Sequence, residues 1–223
     1  MLSRFAWVMA VLSLSIGTPA LAQNIDTRAA ATGSFGSFGY AATPTYGQTF
    51  TVPAGQGVVN SFSFRMETVP ATATFRGVLM QWDTGTSRAI GPVLYQSGDV
   101  TTTGPTFQDV TFTIPGSAAV TAGQTYVIFA SRVNSTGSGS GIWSRAGADV
   151  LPGGALVFQS AALQSDWTGS PWTVFAGEDF GVTVNFALAP AAVPTLSEWA
   201  LILFGLMLAG GAALYIQRRQ LAV

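Results

Sequence analysis

The sequence predicts an all-β protein, a two-sheet antiparallel β-sandwich of jelly-roll-like type, followed by one C-terminal transmembrane helix. Three observations predict it. Short segments of the central region alternate apolar and polar side chains at the two-residue period of a half-buried strand. Turns containing Gly or Pro separate those segments, with no amphipathic helical pattern between them. Near the C-terminus, Trp199 to Ile216 forms an uninterrupted run of 18 residues without a charge.

At the N-terminus, residues 1–22 place Arg4 before an apolar stretch from Phe5 to Ile16, then a helix-breaking Gly17-Thr18-Pro19. Ala20 and Ala22 supply small side chains at the two positions that signal peptidase inspects, so residues 1–22 are expected to be a signal peptide cleaved before Gln23. Residues 23–45 are rich in Ala, Gly, Ser and Thr and read as an arm or an edge strand.

The β-sandwich domain is expected over residues 46–188. In the segment from Asn60 to Met66, Phe62, Phe64 and Met66 share one face while Ser61, Ser63 and Arg65 share the other. Val110, Phe112 and Ile114 share a face in the same way, as do Phe180, Val182, Val184, Phe186 and Leu188. Further strands are expected at Ala73–Trp82, Pro92–Gln96, Thr125–Ser131 and Leu156–Gln159. Turns fall at Pro53-Ala54-Gly55, Asp83-Thr84-Gly85, Ser97-Gly98-Asp99, Pro115-Gly116, Ala122-Gly123 and Pro152-Gly153-Gly154. Many short strands at this spacing are the pattern of a sandwich. Asn134 to Gly141, NSTGSGSG, reads as a flexible loop.

Residues 189–198 read as a linker kept extended by Pro190 and Pro194. At 1.5 Å per residue, the helix expected over 199–216 spans about 27 Å, close to the thickness of a bilayer core. Trp199 and Tyr215 stand at its rims, and Arg218 and Arg219, in a basic tail over 217–223, are expected on the cytoplasmic side. The central domain would then face outward, and membrane lipid would be a partner of the unprocessed chain.

The string Val193-Pro194-Thr195-Leu196-Ser197-Glu198-Trp199, then a Gly-containing apolar helix, then Arg218-Arg219 near the C-terminus, resembles the IPTL-CTERM sorting domain. That family is a tripartite signal of Gram-negative bacteria, related in architecture to the PEP-CTERM signals read by exosortases. Val193 stands where the family name has Ile. The resemblance covers only the C-terminal segment. It implies that Pro194, Thr195 and Leu196 are recognised by an exosortase-like membrane enzyme, with cleavage near them and transfer of the exported domain to an envelope or surface acceptor.

Composition narrows the chemistry. The chain has no Cys and no His, which excludes disulfides, zinc-thiolate sites, thiol nucleophiles and every imidazole base. All nine basic residues are Arg, the formal net charge is -1, and charged residues make up only 9% of the chain, so a nucleic-acid partner is not expected. No cofactor and no metal site is expected, and the protein reads as a non-enzyme. Asp83-Thr84-Gly85 has the letters of an aspartic-protease turn but lacks the second such carboxylate, and reads as a hairpin turn. Glu178-Asp179 has no D-x-D-x-D-G context for Ca²⁺. Trp143, Trp167 and Trp172, read as lying in or beside Gly/Ser-rich loops, with Asp166 nearby, are candidates for stacking on a sugar ring; core or edge packing is the preferred reading of each. Two functional readings follow: an exported structural or interaction sandwich, and a carbohydrate-binding or adhesion module. Exposure of the three indoles on one rim favours the second, and their burial favours the first.

Overall fold

The computed structural model describes residues 24–39, 43–69, 72–136, 139–188 and 196–220. They fall into two units, a strand domain up to Ala189 and the C-terminal segment from Pro190. In chain order the strands are β1 (Ile25–Asp26), β2 (Gly33–Phe38), β3 (Thr45–Thr51), β4 (Gln56–Val69), β5 (Thr72–Asp83), β6 (Arg88–Gln96), β7 (Val100–Thr103), β8 (Gln108–Ala119), β9 (Thr125–Ser131), β10 (Ser140–Ala146), β11 (Ala155–Gln159), β12 (Thr173–Phe175), β13 (Asp179–Phe180) and β14 (Val182–Leu188). A one-turn helix, α1 (Asp166–Gly169), lies between β11 and β12, and α2 (Leu196–Gln220) forms the second unit.

The strands form two seven-stranded antiparallel sheets. Sheet A runs β1-β14-β4-β10-β13, with β2 on β10 and β8 on β4. Sheet B runs β12-β11-β3-β9-β5-β6, with β7 also on β5. The chain changes sheet at most connections from β3 to β13, so each sheet's inner face is completed by residues distant in sequence. Two short strands, β1 and β2, lie on the edge of sheet A: Ile25 pairs with Val184, and Phe35 with Trp143.

The alternation seen in sequence is the alternation of burial. Phe62, Phe64 and Met66 of β4, Phe112 of β8 and Phe180, Val182 and Val184 face sheet B, where Phe50, Phe75, Leu79 and Ile128 meet them. Burial of side chains of this size contributes about 1.5–3 kcal/mol each before the entropy of ordering them is subtracted. Phe112 also explains Gly77. A Cβ at Gly77 would lie 2.5 Å from the Phe112 ring, so only glycine lets the two sheets approach there.

Gly181 answers a different requirement, because it sits where β10 parts from β4 and the chain from β13 to β14 enters between them. Its N–H donates to Ser144 O at 2.9 Å and its carbonyl accepts Arg65 N–H at 2.8 Å. A Cβ on it would lie 2.1 Å from Ser144 Oγ and 3.0 Å from Ala31 Cβ.

Two expectations are corrected by these pairings. The stretch read as a flexible loop, Asn134 to Gly141, ends inside β10, where Gly141 pairs with both Phe38 and Thr68. Trp143, read as a residue beside that loop, is the centre of β10. Strand β3 carries Gly47, Gln48 and Thr49 and shows no apolar alternation, yet it is buried almost throughout because it lies in the middle of sheet B.

Candidate functional site

The three candidate indoles are buried, Trp143 to 0%, Trp167 to 1% and Trp172 to 4% exposure. They do not share a surface. Trp143 lies between the sheets, with its ring centroid 4.5 Å from that of Phe64 and 4.8 Å from that of Phe180, and with Phe38 and Tyr46 also against it. Trp167 and Trp172 lie on the opposite face of sheet B. There they form a second core with Val78, Met80, Trp82, Val127, Phe129 and Val157. Phe129 meets Trp167 edge-on at 4.8 Å and Trp172 at 5.1 Å, and Trp82 meets Trp172 at 5.6 Å. The platform expected of Trp143, Trp167, Trp172 and Asp166 is therefore not assembled: sheet B separates the first indole from the other two, and Phe129 and Trp82 occupy ring contacts that a sugar would need.

The segment between β11 and β12 is the lid of this second core, and its polar groups hold it in place. Gln159 Nε2 donates to the carbonyls of Asp166 and Ser170, both at 3.3 Å, and Gln159 Oε1 accepts from Ser160 N–H at 2.9 Å. Trp172 Nε1 donates to Trp167 O at 3.0 Å. The Asp166 carboxylate accepts from Leu163 N–H at 3.2 Å, and Gln164 Oε1 accepts from Asn134 Nδ2 at 3.1 Å. Asp166, which the sequence placed beside a sugar, instead accepts from the lid's own backbone, and Gln164 ties the lid to the loop after β9. The clue was present in Tyr126-Val127-Ile128-Phe129-Ala130, an unbroken apolar run that marks a strand covered on both faces.

The carboxylates are spent in the same way. Asp83 accepts from the Thr86 hydroxyl and from Gly85 N–H at 2.9 Å, which in that order hold its pKa below the ordinary carboxylate range; this is the hairpin turn that the sequence predicts. Glu178 pairs with Arg145 at 3.0 Å. Near the β1 end of sheet A, Asp26, Arg28, Arg65 and Phe107 line an open hollow of about 600 Å³. Its charges are matched internally: Arg28 meets Asp26 and Asp109, each at 2.6 Å, and Arg65 meets Asp109 at 3.5 Å. Among the described residues there is no group of three or more potential metal ligands.

Asp99 ties the loop after β9 to β5. The Arg76 side chain at 2.6 Å, then the N–H and hydroxyl of Thr136, each at 3.0 Å, hold its pKa down at about 2. A carboxylate depressed in the folded state stabilises above its unfolded pKa, and that contribution is lost as pH falls through the folded value. The stability difference between the wild type and Asp99→Asn is therefore expected to be constant from neutral pH to about pH 5 and to shrink between about pH 4 and 2. Chemical denaturation at stepped pH reads this directly, and a difference that stays flat through that window contradicts the bridge.

Buried without a sequence signal of its own is Asp179. Its Oδ2 accepts from Val150 N–H at 2.8 Å and Leu151 N–H at 2.9 Å, and its Oδ1 accepts from Gln48 Nε2 at 2.6 Å. Gln48 Oε1 in turn accepts from Phe180 N–H at 2.8 Å, which fixes the orientation of the amide. Burial pushes the Asp179 carboxyl above the ordinary range, against the opposing pull of those donors.

The second unit is a single helix. Leu196–Gln220 has 25 residues, and its 21 residues from Ala200 to Gln220 are long and apolar enough to cross a membrane, about 31 Å at helical rise. Every described side chain from Ala200 onward is exposed within this unit, as expected of a helix that is apolar on all sides. The helix begins three residues before the expected start at Trp199, and Glu198 falls in its positive first turn. It also extends past Ile216, because Gln and Arg are good helix formers, and Arg218 and Arg219 complement its negative end. Residues 191–220 match the family model for the IPTL-CTERM motif.

The chain carries an IPTL-CTERM motif. The match takes in the whole proposed recognition string, the helix and both terminal arginines. Of the IPTL-CTERM string, Leu196, Ser197, Glu198 and Trp199 lie in the first turn of α2, whereas Val193, Pro194 and Thr195 lie outside the described residues, as do Ala20, Ala22 and Gln23, where N-terminal cleavage is expected. No other family is found for the strand domain, and no curated protein matches the chain.

Proposed function

We propose that this is an exported, envelope- or surface-anchored β-sandwich of structural or interaction type, delivered by its IPTL-CTERM motif and processed by an exosortase-like membrane enzyme. The coarser statement is carried by one observation, the joint presence at 191–220 of the motif, an apolar helix of spanning length and the terminal arginine pair, which together point to a C-terminally processed, membrane-anchored exported protein. The proposal adds the enzyme class and the order of events. A signal peptidase removes residues 1–22, α2 holds the chain in the lipid with Arg218 and Arg219 on the cytoplasmic side, and cleavage near Pro194-Thr195-Leu196 releases the sandwich to an envelope acceptor.

Two observations support a binding or structural role over a catalytic one. The chain has no His or Cys, and Asp83, Asp99, Asp109, Asp166, Glu178 and Asp179 are each engaged with a partner inside the fold. The burial of Trp143, Trp167 and Trp172 supports the structural reading over the glycan-binding one.

Mass spectrometry of the envelope-associated protein tests the processing. The mature form is expected to begin at Gln23 and to lack the helix, and deletion of residues 191–223 is expected to send the sandwich out of the envelope fraction. A mature form that retains residues 200–220 sinks the cleavage step.

A further inference from the structure

A sandwich must protect the outer edges of its sheets, because an edge strand presents unpaired N–H and C=O groups to any other chain. Most edges here are protected. Strand β1 has two residues, β12 three and β7 four. On β2, the carbonyls of Gly36 and Ser37 already accept the hydroxyls of Tyr46 and Thr43. Strand β6 is interrupted by Gly91, at a φ of 71°, followed by Pro92.

Strand β8 has no such device over Val110–Ile114. It pairs with β4 on one side and with no described strand on the other. The stretch is Val-Thr-Phe-Thr-Ile, without charge, Gly or Pro and rich in residues that favour strands. Val110, Phe112 and Ile114 are buried in the core, so the edge is held rigid, while Thr111 and Thr113 are exposed.

We propose that β8 pairs with β8 of a second copy of this chain, joining two A sheets across a two-fold axis. The axis passes at Phe112. This antiparallel register sets Thr111 of one copy opposite Thr113 of the other, Val110 opposite Ile114, and Asp109 opposite Pro115. The charge pattern favours it: Asp109 meets no like charge across the axis, and its carboxylate is already matched by Arg28 at 2.6 Å and Arg65 at 3.5 Å. Opposed Thr pairs and opposed β-branched residues are favourable cross-strand neighbours. The ladder has a definite end, because Pro115 offers no N–H and Gly116 and Ser117 turn away with φ of 75° and 65°. A self-complementary edge of this kind closes as a dimer rather than growing as a filament.

The absence of cysteine makes crosslinking a clean test on the full chain in detergent. Oxidation of Thr111→Cys/Thr113→Cys is expected to convert most of the protein to a covalent dimer. Ser61→Cys, on the same face one strand inward and opposite Thr113 on the neighbouring β4, is expected to stay monomeric. Thr111→Lys/Thr113→Lys puts like charges opposite each other and is expected to sediment as a smaller species than the wild type, as is Thr111→Glu/Thr113→Glu, while an equal mixture of the two recovers the wild-type size. Both positions are exposed, so the far-ultraviolet circular dichroism of the substituted chains is expected to match the wild type, confirming that the fold is intact. Crosslinking no faster than in the Ser61→Cys control, or a Lys-substituted chain that sediments like the wild type, overturns the proposal.

Discussion

Trp143→Ala is expected to cost the strand domain about 3–5 kcal/mol, the range for emptying an aromatic site that cannot collapse. The site cannot collapse because the indole is held from four directions, by Phe38, Tyr46, Phe64 and Phe180, and those rings belong to four different strands spread over both sheets. Moving any of them inward breaks its own strand register. The loss comes from shape and not from hydrogen bonding, since Trp143 Nε1 has no partner. Trp143→Phe, which keeps a ring and gives up only that N–H and part of the volume, is accordingly expected to lose about half as much or less. Equilibrium denaturation of the two variants decides it: equal losses contradict a packing role. At Trp172 the Phe variant is expected to lose a larger share of the Ala loss, because it too gives up the bond to Trp167 O at 3.0 Å that fastens the lid.

Asp179→Ala is expected to cost about 3 kcal/mol, because three donors aimed at one carboxylate lose their acceptor, the buried Gln48 Nε2 and the part-buried N–H groups of Val150 and Leu151. Asp179→Asn is expected to recover little of this. An amide oxygen can still accept from Val150 and Leu151, but its NH₂ then faces Gln48 Nε2, and Gln48 cannot flip without turning an NH₂ toward the Phe180 N–H. Because the two side chains act as one unit, Gln48→Ala and Asp179→Ala combined are expected to cost clearly less than the sum of the single losses. A double-mutant cycle measured by urea denaturation tests this, and additive losses contradict the clamp. Hydrogen exchange at Val150 and Leu151 is expected to accelerate in Asp179→Ala.

How much of this was legible depends on how far each residue's partner lies along the chain. Strands with a regular two-residue alternation, such as the one containing Phe62, Phe64 and Met66, were legible because each exposes one face to a single core. Strand β3 was not, because Gln48 and Thr49 are polar residues buried by partners more than 100 positions away, at Asp179 and Ala155. Strand β10 was hidden for a related reason: Gly141 looks like loop composition, yet a Cβ there would meet Met66 Cε at 2.6 Å, so its glycine serves close packing. The indoles were found as residues but misplaced as loop platforms. Their spacing in sequence carries no information on which side of sheet B they lie, although the uninterrupted apolar run of β9 implied that both sides were covered.

By itself, the sequence carried the C-terminal sorting motif, the apolar helix and the class of fold. Export signals and membrane helices are read as linear segments, so their chemistry is complete in 20 or 30 consecutive residues, and strand periodicity is likewise local. Only the tertiary structure decided that Trp167 and Trp172 seal a second core, that Asp179 clamps a loop, and that β8 has no strand on its outer edge among the described residues. Each of these depends on which strands become neighbours, and in a sandwich whose chain keeps crossing between sheets, those neighbours are set by the packing of the whole domain.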